Sequence, residues 1–488
     1  MIKNTILGIL LLLGGSLASL AGNLRCAKTV FSQPNVRFMQ KVKIANKQGF
    51  ISVKGLPDGL KWNVKRQLIE GKVKKEGVYS YLITLCQDGR EEEANVTLTV
   101  SNRLPLPVPF MGWLSWNSVE GDVSANIVKQ VTDMFASNGL YEVGWNTIMM
   151  DDLWQARSGR TSDGKPQSDP KRFPNGLRPV ADYVHSKGMK FGLYTDAADK
   201  TCAGAFGSYG YEKIDADQYA DWQVDVVKCD YCNAPSEKDS AIVRYGRMGD
   251  AFKNAQRPII LYLCEWGDRE PWLWGAEVGG SCWRISPDVR DGWTCESGGT
   301  GVVQSIDLMK NISEYSGVNR FNDSDMLCIG LHGTGHSSND LCFGHPGMTQ
   351  DEYRTQFALW CMWSSPMALS FDPRANTLTD DDLEILKNRR LIALNQDRMG
   401  QQADLISEEN GLVIFAKDLE NGDVALSVTN LTDETQVATF DFSKIPALNA
   451  RKRYPCQDLW TGEKLNPVKG SFLTQVRSHA TQIYRLRK

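Results

Sequence analysis

At 488 residues the chain has room for two or three domains, and 42% hydrophobic residues with 43 glycines and 14 tryptophans mark it as globular and rich in aromatics, as sugar-binding enzymes often are. A net charge of −3 without long basic runs argues against a nucleic-acid partner. The twelve cysteines make the compartment the next question, because thiols pair only where the surroundings are oxidising.

The N-terminus answers it. Met1-Ile-Lys-Asn precedes an apolar run, Ile6 to Leu13, and small residues follow to Ala21. This is the layout of a signal peptide over residues 1–21, too short to span a bilayer as a stable helix. Cys26 follows Leu24-Arg25, where lipid attachment would need a small residue. The expectation is an exported protein, periplasmic or secreted, with no membrane attachment after cleavage. All twelve cysteines survive that cleavage.

Residues 22–105 read as a small β domain. Val78-Tyr-Ser-Tyr-Leu-Ile-Thr-Leu and Ala94-Asn-Val-Thr-Leu-Thr-Val alternate, and Pro57-Asp-Gly signals a turn. With Leu56-Pro-Asp-Gly-Leu-Lys-Trp, Ile69-Glu-Gly and Gly77-Val-Tyr-Ser-Tyr, the segment resembles an immunoglobulin-like module. Cys26 and Cys86 are its only thiols and are candidates to pair. A packing or spacer role is expected for it ahead of carbohydrate binding. The linker Leu104-Pro-Leu-Pro-Val-Pro closes the domain, since alternating prolines favour extended backbone.

From residue 106 to 401 strand-like runs alternate with helical ones. The strands are expected at Met111–Trp116, Trp145–Met150, Lys190–Thr195, Val224–Asp230, Ile259–Cys264, Trp283–Ile285, Asp325–Ile329 and Pro366–Phe371. Amphipathic segments fall between them at Ala125–Ser137, Leu177–Ser186, Asp215–Trp222, Asp239–Lys253, Val302–Tyr315 and Tyr353–Trp363. Eight such alternations predict a (β/α)8 barrel, a TIM barrel, whose active site lies at the C-terminal strand ends. Residues 402–488 return to short strands, with Asn421-Gly422 as a hairpin signal, and predict a C-terminal antiparallel β-sandwich.

The chemistry centres on residues 224–232, Val-Asp-Val-Val-Lys-Cys-Asp-Tyr-Cys. Alternation puts Lys228 and Asp230 on one face, about 6–7 Å apart, with Cys229 pointing away. A cation there is expected to keep the Asp230 carboxyl low, which suits a nucleophile. Alone, this stretch is equally a structural ion pair. The other strand ends carry Trp116, Asp151-Asp152, Tyr194, Glu265, Arg284, Asp288 and Asp325. So many polar and aromatic groups at one rim point to a carbohydrate site.

These motifs resemble family 27 glycoside hydrolases of the α-galactosidase (melibiase) type. The resemblance is carried by Met111-Gly-Trp-Leu-Ser-Trp, Met150-Asp-Asp-Leu-Trp, Phe191-Gly-Leu-Tyr-Thr-Asp, Lys200-Thr-Cys-Ala-Gly, Lys228-Cys-Asp-Tyr-Cys, Cys264-Glu-Trp and Trp283-Arg-Ile-Ser-Pro-Asp-Val, in that order. It covers the barrel and tail, about three quarters of the chain. It implies a retaining exo-enzyme releasing terminal α-D-galactosyl groups from oligo- or polysaccharides, with Asp230 as nucleophile and Asp288 as acid/base. Asp288 must start protonated, so its surroundings are expected to lack a cation as close as Lys228 is to Asp230.

The same resemblance makes Trp116 a wall for the pyranose. It puts Asp151 and Asp152 at the 6- and 4-hydroxyls, Lys228 at the 3- and 4-oxygens, Arg284 and Glu265 near the 2-hydroxyl, and Tyr194 and Asp325 on the rim. Glu265 would then favour a free 2-hydroxyl over the acetamide of an α-N-acetylgalactosaminide, and the intact Asp151-Asp152 pair disfavours a β-L-arabinopyranoside. A galactose-binding protein without catalysis is the reading from another class. Both catalytic carboxylates being present argues against it. The resemblance also pairs Cys202 with Cys232 beside the sugar.

Two loops stand out. Gly267-Asp-Arg-Glu-Pro-Trp-Leu-Trp is expected to border the leaving-group side. The stretch 328–345 holds Cys328, His332, His336, Cys342 and His345, but not in a zinc spacing, and a Cys328–Cys342 disulfide is expected there instead. Cys282 has two partners open to it, Cys295 and Cys264. No cofactor or metal is expected, and a homo-oligomer is compatible with the sequence.

Overall fold

In the computed structural model, residues 22–45, 48–295, 299–334, 347–375 and 377–488 are described. The expected signal peptide, and His336, Cys342 and His345 of the 328–345 stretch, lie outside them. Among the described residues no helix is long and apolar enough to cross a membrane.

Eight parallel strands form the central sheet: β1 (Met111–Leu114), β2 (Thr147–Met149), β3 (Lys190–Asp196), β4 (Val226–Asp230), β5 (Ile260–Cys264), β6 (Gly280–Arg284), β7 (Phe321–Asp323) and β8 (Met367–Leu369). From β1 to β7 each strand pairs with the next in sequence, and β8 returns to β1 with Met111 opposite Met367. A parallel bridge between Leu327 and Leu369 links the two edges. This is the (β/α)8 barrel that the alternation of runs implied.

The strands are short and buried on both faces, as parallel strands covered by helices must be. Along β4, Val226 joins the cluster inside the barrel while Val227 and Cys229 pack outward under the helices. Indole groups tie the layers together. Trp113 donates to Phe371 O at 2.9 Å, Trp145 to Leu386 O at 3.0 Å, Trp154 to Tyr194 O at 2.8 Å and Trp360 to Asp325 O at 2.7 Å. Each buried indole contributes apolar area and satisfies its own N–H, which avoids a desolvation cost of about 1–3 kcal/mol. Six tryptophans are fully buried, all but Trp363 with the indole N–H bonded, so the abundance of aromatics belongs mostly to the core.

Expected and observed elements differ most in two strands and in the helices after Val302 and Thr379. The sixth strand starts at Gly280 rather than Trp283, and only glycine fits there. A Cβ on Gly280 would lie 2.0 Å from Leu263 and 2.8 Å from the Gly275 carbonyl. The seventh strand is Phe321–Asp323 rather than Asp325–Ile329, because Asp325 sits at φ 72° and turns the chain out of strand conformation. The helix from Val302 ends at Met309, short of Tyr315. Two helices that the patterning did not signal, Asp380–Leu386 and Arg389–Asn395, start from the side-chain caps Thr379 and Asn388.

The N-terminal segment is built of a four-stranded sheet, a three-stranded sheet and a two-stranded ribbon around its own core. It is fixed to the rest by ion pairs Lys41–Asp404 at 2.9 Å, Arg66–Asp418 at 2.6 Å and Lys43–Glu314 at 3.1 Å. Cys26 and Cys86 do not pair. Cys26 is buried in this core, and Cys86 lies against Glu91 across the β-ladder. The C-terminal segment is an eight-stranded antiparallel β-sheet structure with its own core, and Asn421-Gly422 joins Leu412–Asp418 to Val424–Asn430.

Candidate active site

The C-terminal ends of β1 to β4 and the segments after β5 and β6 enclose a cavity of about 250 Å³. Trp116, Asp151, Asp152, Tyr194, Lys228, Asp230 and Asp288 line it, with Cys202, Trp266, Pro287, Arg290 and Gly299. Strand pairing sets the register: Tyr194 lies beside Lys228, and Asp196 beside Asp230. Three non-glycine residues at positive φ, Leu153 (70°), Trp266 (61°) and Asp325 (72°), sit just past strand ends around it. Backbone strain of this kind concentrates at functional sites.

Asp230 is buried and fully held. Tyr194 donates its hydroxyl to Oδ2 at 3.0 Å, and the Tyr231 N–H donates to Oδ1 at 2.9 Å. Lys228 reaches across to Asp151 instead, Nζ to Oδ2 at 2.7 Å, and both are almost completely buried. Asp151 Oδ1 also accepts from the Asp152 N–H, and Asp152 Oδ2 accepts from the Ala203 N–H at 2.9 Å. Lys228 stays charged because Asp151 and Asp230 outweigh the cost of its burial.

Asp288 lies on the opposite wall, with 31% of its side chain exposed. Arg284 donates to its Oδ1 at 3.1 Å, and Arg290 stands 3.6 Å from its Oδ2. Arg284 is completely buried and also grips Asp325 at 3.0 Å and the Ser286 carbonyl at 2.8 Å. Asp325 in turn accepts the Val289 N–H at 2.7 Å, so the turn carrying Asp288 is pinned from behind.

The electrostatic expectation is overturned here. Burial lifts the Asp230 carboxyl to about 6 despite Lys228, whose positive charge is shared with Asp151. At Asp288 burial also pushes upward, but Arg284 and Arg290 outweigh it and hold the carboxyl below its usual range. Asp288 therefore does have close cations, contrary to the expectation that it would lack them.

Three of the expected sugar contacts do not line the cavity. Arg284 and Asp325 are buried behind Asp288 as its support. Glu265 is buried too, its Oε2 accepting from Arg269 N at 3.0 Å and Nη1 at 3.2 Å. Glu265 thus binds within its own loop and, contrary to expectation, does not line the cavity where it could discriminate against an N-acetylated sugar. Of the following loop, Trp266 faces the cavity, while Trp274 is buried and donates to Arg269 O at 2.8 Å.

Cys202 and Cys232 form the disulfide that the resemblance implied, with Cys202 on the cavity wall. Cys264 and Cys282 are free and Cys295 is disulfide-bonded, so neither pairing considered for Cys282 forms. Cys328 is a free, buried thiol, and His332 bonds to Asp382 at 2.7 Å. Sulfur and carboxylate atoms of Asp196, Cys202, Asp230 and Cys232 lie within 4.8 Å of one another, but the disulfide leaves no thiolate to bind a metal.

Sequence reasoning passed over Trp266, Arg290 and Asp196. Asp196 could have been found by the alternation already in use, since it shares a strand face with Tyr194.

Comparisons with known proteins follow the same lines. A family model described as alpha galactosidase A matches residues 108–397, and one for the alpha galactosidase C-terminal beta sandwich domain matches 409–486. Alpha-galactosidase A of Cellvibrio japonicus is 34% identical over 392 residues, covering 78% of this chain and 91% of its own. A Bacteroides fragilis alpha-galactosidase candidate has a solved structure that covers 96% of this chain and 98% of its own, at 32% identity and a TM-score of 0.74. The Saccharomyces cerevisiae alpha-galactosidase solved with raffinose covers 78% of this chain and 98% of its own, at 25% identity and a TM-score of 0.70.

Proposed function

The chain belongs to the alpha-galactosidase (melibiase) family of glycoside hydrolases, and from that premise we propose that it is an exo-acting, retaining α-galactosidase. The observation that carries this reading is the placement of Asp230 and Asp288 in one small cavity, with room for about one hexose. A pocket of that size accepts a chain end more readily than the middle of a polymer.

In the first step Asp230 attacks C1 of the galactosyl group. The glycosidic bond breaks as Asp288 gives its proton to the leaving oxygen, and an ester links C1 to Asp230. In the second step Asp288 takes a proton from water, the hydroxide attacks C1, and Asp230 leaves as carboxylate. The first step needs one proton on the pair, carried by Asp288, and the second needs Asp288 ionised, as the first step leaves it. A bound sugar covers the part of Asp288 open to water and disfavours its charge. Positive charge growing at C1 favours the charge on Asp230. Both effects move the proton to Asp288.

Asp151, Asp152 and Lys228 form a buried polar set for the hydroxyls that distinguish galactose, and Trp116 supplies an apolar face. An epimer lacking the matching hydroxyl leaves those groups unpaired, which gives strong discrimination. The leaving sugar lies toward Trp266, Pro287 and Arg290, on the Asp288 side. Raffinose, carried by the yeast relative, has the matching terminal α-galactosyl group. The apolar leader and the disulfide beside the pocket support an exported protein.

The test is a panel of p-nitrophenyl glycosides. The α-galactoside is expected to be cleaved at least about tenfold better than the α-N-acetylgalactosaminide or the β-L-arabinopyranoside, with α-galactose as first product by NMR. Preference for either other glycoside, or β-galactose as first product, contradicts the reading.

A further inference from the structure

The turn after β5 carries Trp266 to the cavity wall where the leaving sugar lies, and one arginine of that turn has no part in the mechanism above. Trp266 stands half-buried at φ 61°, a conformation that persists in a bulky residue only where its neighbours impose it. On the β6 side the neighbour is Ile285, in the segment leading to Asp288. Gly267, at φ 85°, packs so closely there that a Cβ on it would lie 2.4 Å from the Ile285 carbonyl oxygen.

On the β4 side the constraint is Arg269. Its backbone N–H at 3.0 Å and its Nη1 at 3.2 Å both donate to Glu265 Oε2. The residue before Trp266 is thereby tied to the one three positions after it, and the turn is closed. Arg269 Nε donates to the Ser236 carbonyl at 3.0 Å, and the guanidinium carbon lies 4.6 Å from the centre of the Tyr231 ring. Ser236 and Tyr231 both belong to the segment after β4. With 12% of its side chain exposed, Arg269 therefore spans two strand ends. A guanidinium suits this task, because its edge bonds a carboxylate and a carbonyl while its face covers a ring.

We propose that Arg269 is a positioning residue for leaving-group specificity: by holding the turn 265–269 closed against the end of β4, it keeps the Trp266 indole in place to pack on the leaving sugar. This rests on the α-galactosidase reading, with the leaving sugar on the Trp266 side. The contact of Arg269 with Tyr231 offers a second route, since the Tyr231 N–H holds Asp230. That route would change all substrates alike, whereas the route through Trp266 changes only those whose leaving group reaches the indole.

The experiment measures, in the full-length protein, kcat/KM for raffinose divided by kcat/KM for methyl α-galactoside. Both leaving oxygens need the proton of Asp288 and both galactosyl groups need Asp230, so the ratio reports contacts to the leaving sugar. It is expected to fall about fivefold in Trp266→Ala and by a similar factor in Arg269→Met, the size of one aromatic contact. The double variant falls no further than the larger single change, because both remove the same contact. An unchanged ratio in either single variant overturns the proposal, as does a double variant whose fall is the product of the two. A purely structural role for Arg269 would lower thermal stability with the ratio fixed. If Arg269→Met does not fold, Arg269→Lys takes its place: one ammonium cannot serve Glu265, Ser236 and the Tyr231 face together, so the ratio still falls about twofold or more, and a fixed ratio overturns the proposal. Wild-type protein that cleaves neither glycoside strikes instead at the α-galactosidase reading.

Discussion

Replacing Arg290 by Gln isolates the electrostatics of Asp288, the proposed acid/base. Arg290 lies 3.6 Å from Asp288 Oδ2, with side chains 14% and 31% exposed. Coulomb's law at an effective dielectric of about 20 gives roughly 4–5 kcal/mol for such a pair, while exposed pairs measure below about 1 kcal/mol. With water reaching Asp288, about 1–2 kcal/mol is reasonable, or roughly one unit of pKa. The sign is set by chemistry: the cation favours the ionised carboxyl, so removing it keeps Asp288 protonated to higher pH. The assay is the ratio of kcat/KM for raffinose, whose leaving group needs a proton, to that for a 2,4-dinitrophenyl α-galactoside, whose leaving group does not. That ratio cancels the demand on Asp230 and declines as Asp288 ionises. In Arg290→Gln the decline should move upward by about one pH unit. A decline at the wild-type pH, with raffinose still cleaved, would refute the claim that Arg290 holds Asp288 low.

Two other outcomes are expected. Changing both Cys202 and Cys232 to Ser opens a loop of 30 residues and should cost roughly 3–4 kcal/mol in denaturant unfolding on the chain-entropy account, with KM raised because the Cys202–Ala203 wall and its bond to Asp152 loosen; an unchanged KM would mean that the bridge only staples the fold. Burial lifts Glu265 from 4.5 to about 7 despite Arg269, so the folded state binds the extra proton and stability should fall as pH rises between those values; Glu265→Gln should flatten that fall by at most about 3 kcal/mol while leaving the preference between galactoside and N-acetylgalactosaminide unchanged, as measured by unfolding at pH 4.5 and 7 and by the two kcat/KM values.

The barrel was legible because its evidence is periodic. Helices such as Ala125–Ser137 and strands such as β4 follow from local alternation of apolar residues, and the Asn421-Gly422 turn names its own hairpin. What stayed hidden depends on contacts between segments distant in sequence. Gly280 looks like a breaker until Leu263 is placed 2.0 Å from its missing Cβ. The spacing of Lys228 and Asp230 suggested a charge partnership, but Asp151, 77 residues earlier, captures the amine at 2.7 Å. Arg284 and Glu265 sit at strand ends, yet they turn into support for Asp288 and Arg269 respectively. Strand position says which end of the barrel a residue occupies. The direction in which a buried charge points is decided by the partners available to it.

The central claim is that Asp230 carries the galactosyl group through the reaction. Its most direct test is peptide mapping by mass spectrometry after the protein is quenched with a 2-fluorinated α-galactosyl donor. One fluorogalactosyl group is expected, as an ester on the peptide containing Asp230, and none in Asp230→Asn. A label on Asp288 or another residue, or turnover of α-galactosides with no label and inverted product, would contradict the account.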